Sequence, residues 1–361
     1  MKATIDRKEL KQRTLQAKRA NGPRASLPAL ANVLLQVDDS GDTLTVTSTD
    51  LELTYIGELD STGGDAGRCL VNAKAFDTLV GKLDGRLVTL THDRDDDRLT
   101  LTDGDAQLTL RCGVLDDYPQ LGPWPTGEAL QVEAALFDKV RKAATSDEAR
   151  PVLTGVLVDG PAGTLAATDG YRLHLANIDT VPWQALIPSS AIHKILQAKP
   201  GRFVTVTRSA STPGEVGVVS ADGRQRWVVK LIEGSFPDYR RLWPDDHEGA
   251  ATVDAGKLGK AADRIGTLAL GQSNAPVSVT TDLAGRLTVE ASNQEVGEAS
   301  ETVPADVSGE TVTIAFNPKF LHECAALFDG DVTVEWRDGL KPAIFSDGGP
   351  MAALLMPMRV S

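Results

Sequence analysis

Three stretches far apart in the chain share one plan: a short alternating run that ends in an acid and passes into a helix pattern. They are ATIDRKELKQRTLQAKRA from Ala3, LQVEAALFDKVRKAATSD from Leu130 and ATVDAGKLGKAADRIGTL from Ala251, with the acids at Asp6, Glu133 and Asp254. Aligned on those acids, Leu10, Phe137 and Leu258 fall at one position, and Ala17, Ala144 and Ile265 fall two helical turns later. Each helix is therefore expected to carry one apolar stripe. A second element also recurs. LTVTSTDLELTYIGEL from Leu44, LAATDGYRLHLANI from Leu165 and LTVEASNQEVGEASETV from Leu287 each alternate, break and alternate again. The breaks fall at Thr49-Asp50, Thr168-Asp169 and Ser292-Asn293, residues that favour turns through local side-chain hydrogen bonds. A third element, a strand running into a second helix, recurs as CLVNAKAFDTLVGKL, ALIPSSAIHKILQAK and TIAFNPKFLHECAAL.

The period is about 120 residues, too long for a solenoid repeat and right for one α+β domain. The expectation is three similar α+β domains in tandem, 1–127, 128–248 and 249–361. Their joints lie in LGPWPTGEALQV and WPDDHEGAATV, where proline, glycine and acids cluster.

Charge then separates the elements. The net charge of -13 argues against a nucleic-acid partner only if it is evenly spread. It is not, because Arg7, Lys8, Lys11, Arg13, Lys18, Arg19 and Arg24 crowd the first helix against the single acid Glu9. On the first helix of each repeat, Lys8, Lys11 and Lys18, then Lys139 and Lys142, then Lys257, Lys260 and Arg264 recur away from the apolar stripe. Strand segments such as THDRDDDR carry the acids. A solvated face explains any one such helix; three in tandem fit a basic helical layer inside an acidic sheet, able to hold a polyanion. No apolar run is long enough for a membrane span and the start lacks a signal-peptide pattern, so a cytoplasmic location is expected.

The stretch TDGYR admits two readings. Asp169 with His174 suits a hydrolase, whereas Gly170, Tyr171 and Arg172 suit an exposed recognition rim. The same acid recurs at Asp50 and becomes Asn293 in the third copy, which favours turn chemistry over catalysis. The five histidines, His92, His174, His193, His247 and His322, show no metal or triad spacing, and Cys69, Cys112 and Cys324 show no CxxC. Neither a cofactor nor a metal is expected. The apolar end AALLMPMRV reads as a last core strand or the lining of a binding groove.

Taken together, SLPALANVLLQ from Ser26, RPVLTGVLVDG from Arg150, LAATDGYRLHL from Leu165, GSFPDYRRLWP from Gly234, IAFNPKFL from Ile314 and MPMRV from Met356 resemble the bacterial DNA polymerase III β sliding clamps along the whole chain. The resemblance implies a head-to-tail homodimeric ring. Helices line a central hole and antiparallel sheets lie outside, encircling double-stranded DNA without reading its sequence. Such a ring is not an enzyme; it tethers DNA polymerase III α, the clamp loader and other proteins that carry short clamp-binding peptides.

The implied peptide groove comprises Leu153, Thr168, Gly170, Tyr171, Arg172, Leu173, Pro237, Arg241, Leu242, Asn317, Phe320, Ile344, Met356, Pro357, Met358 and Arg359. Implied DNA contacts are Arg24, Lys74 and Arg150, with Lys11, Lys139, Lys142, Lys260 and Arg264 from the helices. Leu108, Leu110 and Leu268, with Glu298, Glu301 and Glu295, are implied at the ring interface, where Asp105 and Gln107 replace expected basic residues. Ser189 and Ser190 replace a basic pair, and Pro151 and Val152 replace tyrosines. Trp243, Pro318 and Pro342 are expected to narrow or stiffen the groove. Two further readings remain open: a second-copy clamp with an altered groove, serving repair, a mobile element or inhibitor tolerance, and a peptide-binding scaffold that never encircles DNA.

Overall fold

The computed structural model describes residues 1–21, 28–208, 212–244, 246–269, 275–293 and 297–359. Arg24, Glu295 and Val360 lie outside them. Six α-helices are present among the described residues: α1 (Arg7–Ala20), α2 (Ala73–Val80), α3 (Ala134–Arg141), α4 (Ser189–Gln197), α5 (Ala255–Gly266) and α6 (Pro318–Ala325). Each of the three repeats contributes two, one after its opening strand and one after its hairpin, as the sequence repeats imply.

Side-chain caps explain where most of these helices start. Asp6 accepts from the Lys8 and Glu9 amides at α1, and Asp254 from the Lys257 amide at α5. Asn72 caps α2 and Asn317 caps α6 in the same way. The apolar stripes are buried as expected at Leu10, Phe137, Leu258, Ala17 and Ile265. The middle repeat departs from the expectation, because α3 ends at Arg141 and Ala144 lies beyond it. The Ala143 and Ala144 amides bond the carbonyls of Val140 and Arg141, so the chain closes into tight turns rather than continuing. Ala143 is the buried residue there.

The chain forms two compact units, residues 1–135 with 181–233 and residues 136–180 with 234–361. The first contains a 13-stranded antiparallel sheet. Within it the strand Gln225–Lys230 pairs with Leu53–Asp60, so strands of the first and middle repeats share one sheet. The second unit has its own sheet, in which Arg172–Asn177 pairs with the terminal strand Met351–Leu355. The apolar chain end is thus a core strand, with Met351, Ala353, Leu354 and Leu355 buried.

The turn chemistry repeats as well. Asp50 accepts from the amides of Glu52 and Leu53, and Asp169 from those of Tyr171 and Arg172. The Thr49 and Thr168 hydroxyls accept from the amides two residues on. The third residue of both turns has positive φ, +73° at Leu51 and +92° at Gly170. Glycine meets that demand freely and leucine does not.

Candidate functional site

In the second unit several of the implied groove residues lie on or beside one hairpin. Thr168 donates its hydroxyl to the Arg172 carbonyl at 2.6 Å, closing the turn and holding Gly170 and Tyr171 at the surface. Tyr171 is 61 % exposed and lies 6.3 Å from the Phe320 ring, roughly parallel to it. The chain end docks beside it: the Met356 amide donates to the Tyr171 carbonyl at 2.9 Å, and the Met358 amide donates to the Ala315 carbonyl at 2.7 Å. Leu173 and Leu354 lie opposite each other across the strand pair, and Ile344 lies opposite Leu354 on its other side.

A strap crosses this sheet. Tyr239 is buried against Ala166, Leu173 and Leu354, and its hydroxyl donates to Asp159 Oδ2 at 2.9 Å. Burial, with the Asp159 carboxylate beside it, raises the Tyr239 pKa. Arg240 pairs with the same buried carboxylate. The anchored strap presents Pro237, Arg241 and Leu242 outward, Leu242 being 45 % exposed and Arg241 paired with Asp238 at 2.9 Å. Leu153 closes the 3-10 turn Pro151–Leu153, and Asn317 serves as the α6 cap. Tyr239 and Asp159 were not singled out from sequence; the aromatic next to Arg240 in FPDYRRL was the available signal.

Arg172 differs from the expected rim cation. It is only 7 % exposed. Nε donates to Asp169 Oδ2 at 3.2 Å, Nη2 donates to the Lys142 carbonyl at 2.8 Å, and Nη1 pairs with Glu323. The guanidinium also lies 4.5 Å from the Phe320 ring centroid. Arg172 therefore braces the hairpin from behind, and Tyr171 is its exposed side chain.

The hydrolase reading finds no geometry. Both oxygens of Asp169 are engaged by its own turn and Arg172. His174 is fully buried, its Nδ1 lies 3.1 Å from the Lys139 carbonyl, and burial pushes its pKa down to about 3. Its Nε2 faces Cys324 Sγ at 3.8 Å, a thiol that burial pushes up to about 12. The three cysteines are free, and no group of three metal-ligating side chains comes together among the described residues.

Of the sequence departures, Pro318 starts α6 and faces α5, where a Cβ on Gly266 would lie 2.6 Å from its own Cβ. Trp243 packs beside the Tyr239 cluster and borders a pocket of about 400 Å³ with Leu175, Asn177 and Met351.

The implied DNA contacts divide by partner. Lys74 and Lys260 are exposed. Lys139 pairs with Asp329, Lys142 with Asp138, and Arg264 with Glu301. Arg150 pairs with Asp147 and donates to the Asp169 carbonyl at 3.0 Å, so it supports the groove turn. Lys11 and Lys18 both bind the buried Asp77, at 2.6 and 3.0 Å. Leu108, Leu110 and Leu268 are half-buried, and Glu298 accepts from the Ser292 hydroxyl at 3.4 Å. Among the described residues no helix is long and apolar enough to cross a membrane.

Residues 1–122 match the N-terminal domain of the DNA polymerase III beta subunit, and residues 240–359 match its C-terminal domain. The beta sliding clamp of Synechococcus elongatus is 30% identical and that of Streptomyces coelicolor 28%, each over 100% of both chains. A DNA polymerase III beta subunit from Pseudomonas aeruginosa, solved with griselimycin bound, covers 100% of both chains at 25% identity and a TM-score of 0.88. Fold and sequence together define a DNA sliding clamp. Within that class the chain belongs to the bacterial DNA polymerase III β subunit family.

Proposed function

We propose that two copies of this chain close head to tail into a ring around double-stranded DNA and tether DNA polymerase III α, the clamp loader and other peptide-bearing proteins to it, without catalysis, in the cytoplasm. The observation that carries this reading is the match to clamps over the full length of the chain. The three domains would be 1–127, 128–248 and 249–361. Partner peptides would dock at the second unit's hairpin, with Tyr171, Leu173, Leu242 and Met356 supplying apolar contact.

Two open strand edges support ring closure. In the first unit, the strand Gly67–Asn72 pairs with Ala106–Gly113 only at Cys112 and Gly113, which leaves one side of 106–111 unpaired among the described residues. In the second unit, the long strand Gly297–Gly309 pairs with Gly249–Asp254 only from Ala305 onward, which leaves one side of 297–304 unpaired among the described residues. Exposed edges of this length invite pairing with another chain. Arg111 on the first edge and Glu298 on the second are both exposed and of opposite charge, which offsets the loss of basic residues at Asp105 and Gln107.

The test is retention on circular and on linearised DNA after loading, with the mass of the purified protein measured alongside. Dimeric protein that stays on circles and runs off linear ends is expected. Monomeric protein, or equal loss from both DNAs while a control clamp loads, overturns the reading.

A further inference from the structure

We infer that in the first unit the phosphate backbone of duplex DNA is held by a cleft whose cations are Arg13, Arg19 and Lys199, while Lys11 and Lys18 are withheld from DNA by Asp77. The inference rests on the encirclement reading and names which cations carry it out.

All four α1 cations in question look alike in sequence; their partners separate them. The Asp77 side chain is only 5% exposed. It takes Lys11 Nζ on Oδ1 at 2.6 Å, Lys18 Nζ on Oδ2 at 3.0 Å and the Thr14 hydroxyl on Oδ1 at 3.1 Å. Burial alone would raise its pKa, but the bonds from Lys11 and Lys18 outweigh that and hold it below the usual carboxylate range. Either lysine could reach a phosphate only by leaving a buried carboxylate short of its cation, which the interior disfavours strongly.

Arg13 and Arg19 are placed differently. Arg13 Nε donates to the Glu58 carbonyl at 3.3 Å. Arg19 Nη1 donates to Gln16 Oε1 and to the Gln197 carbonyl, both at 3.3 Å. These acceptors orient the guanidinium groups without neutralising them, and neither arginine forms an ion pair among the described residues. An arginine has five N–H donors, so most remain for an anion. Six residues of helix separate the two by about 9 Å, more than one 3.4 Å base-pair step, so they would meet different phosphates.

Both arginines line a cleft of about 710 Å³ between α1 and the end of α4. Lys199 joins them from just past α4, exposed and without an ion pair among the described residues. Of the acids of the cleft, Asp60 pairs with Arg224 at 2.9 Å. Asp222 accepts from neutral donors, the Ser220 hydroxyl at 2.5 Å and the Arg224 amide at 3.0 Å; burial would raise its pKa, but these bonds and the nearby Arg13 charge hold it below the usual carboxylate range. Asp222 and Glu9 at the rim therefore offset part of the positive charge of the cleft, where Arg13, Arg19, Lys199 and Arg224 still outnumber the acids. Among the described residues no aromatic side chain lines the cleft, which argues against base stacking or a peptide anchor and leaves the phosphodiester backbone as the ligand.

The test is equilibrium binding of the full-length protein to a labelled duplex across a sodium chloride series, with retention on circles as a second readout. Arg13→Gln with Arg19→Gln is expected to reduce the slope of log affinity against log salt by about one for each phosphate that is no longer neutralised. Lys199→Gln, at an exposed position, is expected to reduce it similarly without disturbing the fold. Lys11→Gln with Lys18→Gln, made together with Asp77→Asn so that no buried carboxylate is left without its cations, should leave the slope at the wild-type value, and Asp77→Asn alone, which frees both lysines, should steepen it. An unchanged slope in the arginine and Lys199 variants, in a protein still retained on circles, removes this inference alone, and so does a reduced slope in the Lys11 and Lys18 variant. A wild type that binds no duplex and stays on no circle removes the encirclement reading first and this inference with it.

Discussion

Replacing Arg172 separates a brace from a recognition group. Its side chain is 8% exposed and faces two carboxylates, Asp169 at 12% and Glu323 at 29% side-chain exposure, together with the Lys142 carbonyl and the Phe320 ring. Arg172→Ala removes the cation and leaves Asp169 buried without it. Breaking a buried pair in this way costs about 3–5 kcal/mol, and the partly exposed Glu323, which water can rehydrate, places the expectation at the lower end, about 3 kcal/mol. Arg172→Lys should recover little, because one ammonium cannot serve Asp169, Glu323 and the Lys142 carbonyl from one plane. Hydrogen exchange at the Tyr171, Arg172 and Leu173 amides reads this locally and avoids treating a two-unit chain as one cooperative transition. Combining Arg172→Ala with Glu323→Gln should destabilise by less than the sum of the two single changes, since both act on the same ion pair. A variant whose exchange protection falls by less than about 1 kcal/mol while partner-peptide binding disappears would refute the brace and restore Arg172 as a rim cation.

Two further outcomes follow from local geometry. Leu51→Gly should stabilise the first unit by about 0.5–1 kcal/mol in chemical denaturation, because Leu51 sits at φ +73° and is 51% exposed, and Gly170→Ala at the equivalent position should destabilise the second unit by a similar amount. His174, ordinarily near 6.5, is held down to about 3, so the unfolded chain takes up a proton between those values that the folded chain refuses; stability should fall by about 1.4 kcal/mol for each pH unit below 6.5, and His174→Gln should flatten that part of the profile.

What was legible in the sequence was whatever short-range chemistry decides. Asp6 and Asp254 cap helices within three residues, and Asp50 and Asp169 close turns within three, so the repeats and their hairpins could be located by inspection. The apolar stripes followed from helical periodicity, except where α3 closed early at Arg141. The groove residues were named through the family resemblance; of these, Phe320, Met356, Leu173 and Ile344 lie on or beside the hairpin that carries Tyr171. The states of Arg172, Lys11 and Lys18 were not legible, because a deciding partner of each lies far away in sequence. Glu323 is 151 residues from Arg172, and Asp77 is 66 and 59 residues from Lys11 and Lys18.

The two equivalent turns show why that division falls where it does. Asp50 and Asp169 hold the same backbone turn with the same oxygen, Oδ1, and so look interchangeable in sequence. Their other oxygens meet different cations: Asp50 Oδ2 meets Lys194, 144 residues away, and Asp169 Oδ2 meets Arg172 within its own turn. The local half of each carboxylate builds the repeated scaffold, and the other half is free to differ between copies. Beside Asp169 that difference places Arg172 behind Tyr171, with Phe320 and Glu323 of α6 against it, so the middle repeat's turn is braced by the third repeat's helix. The turn beside Asp50 has Leu51 where the other has Gly170 and Glu52 where the other has Tyr171. It therefore keeps the fold of the hairpin without the exposed aromatic that the proposed docking rim presents.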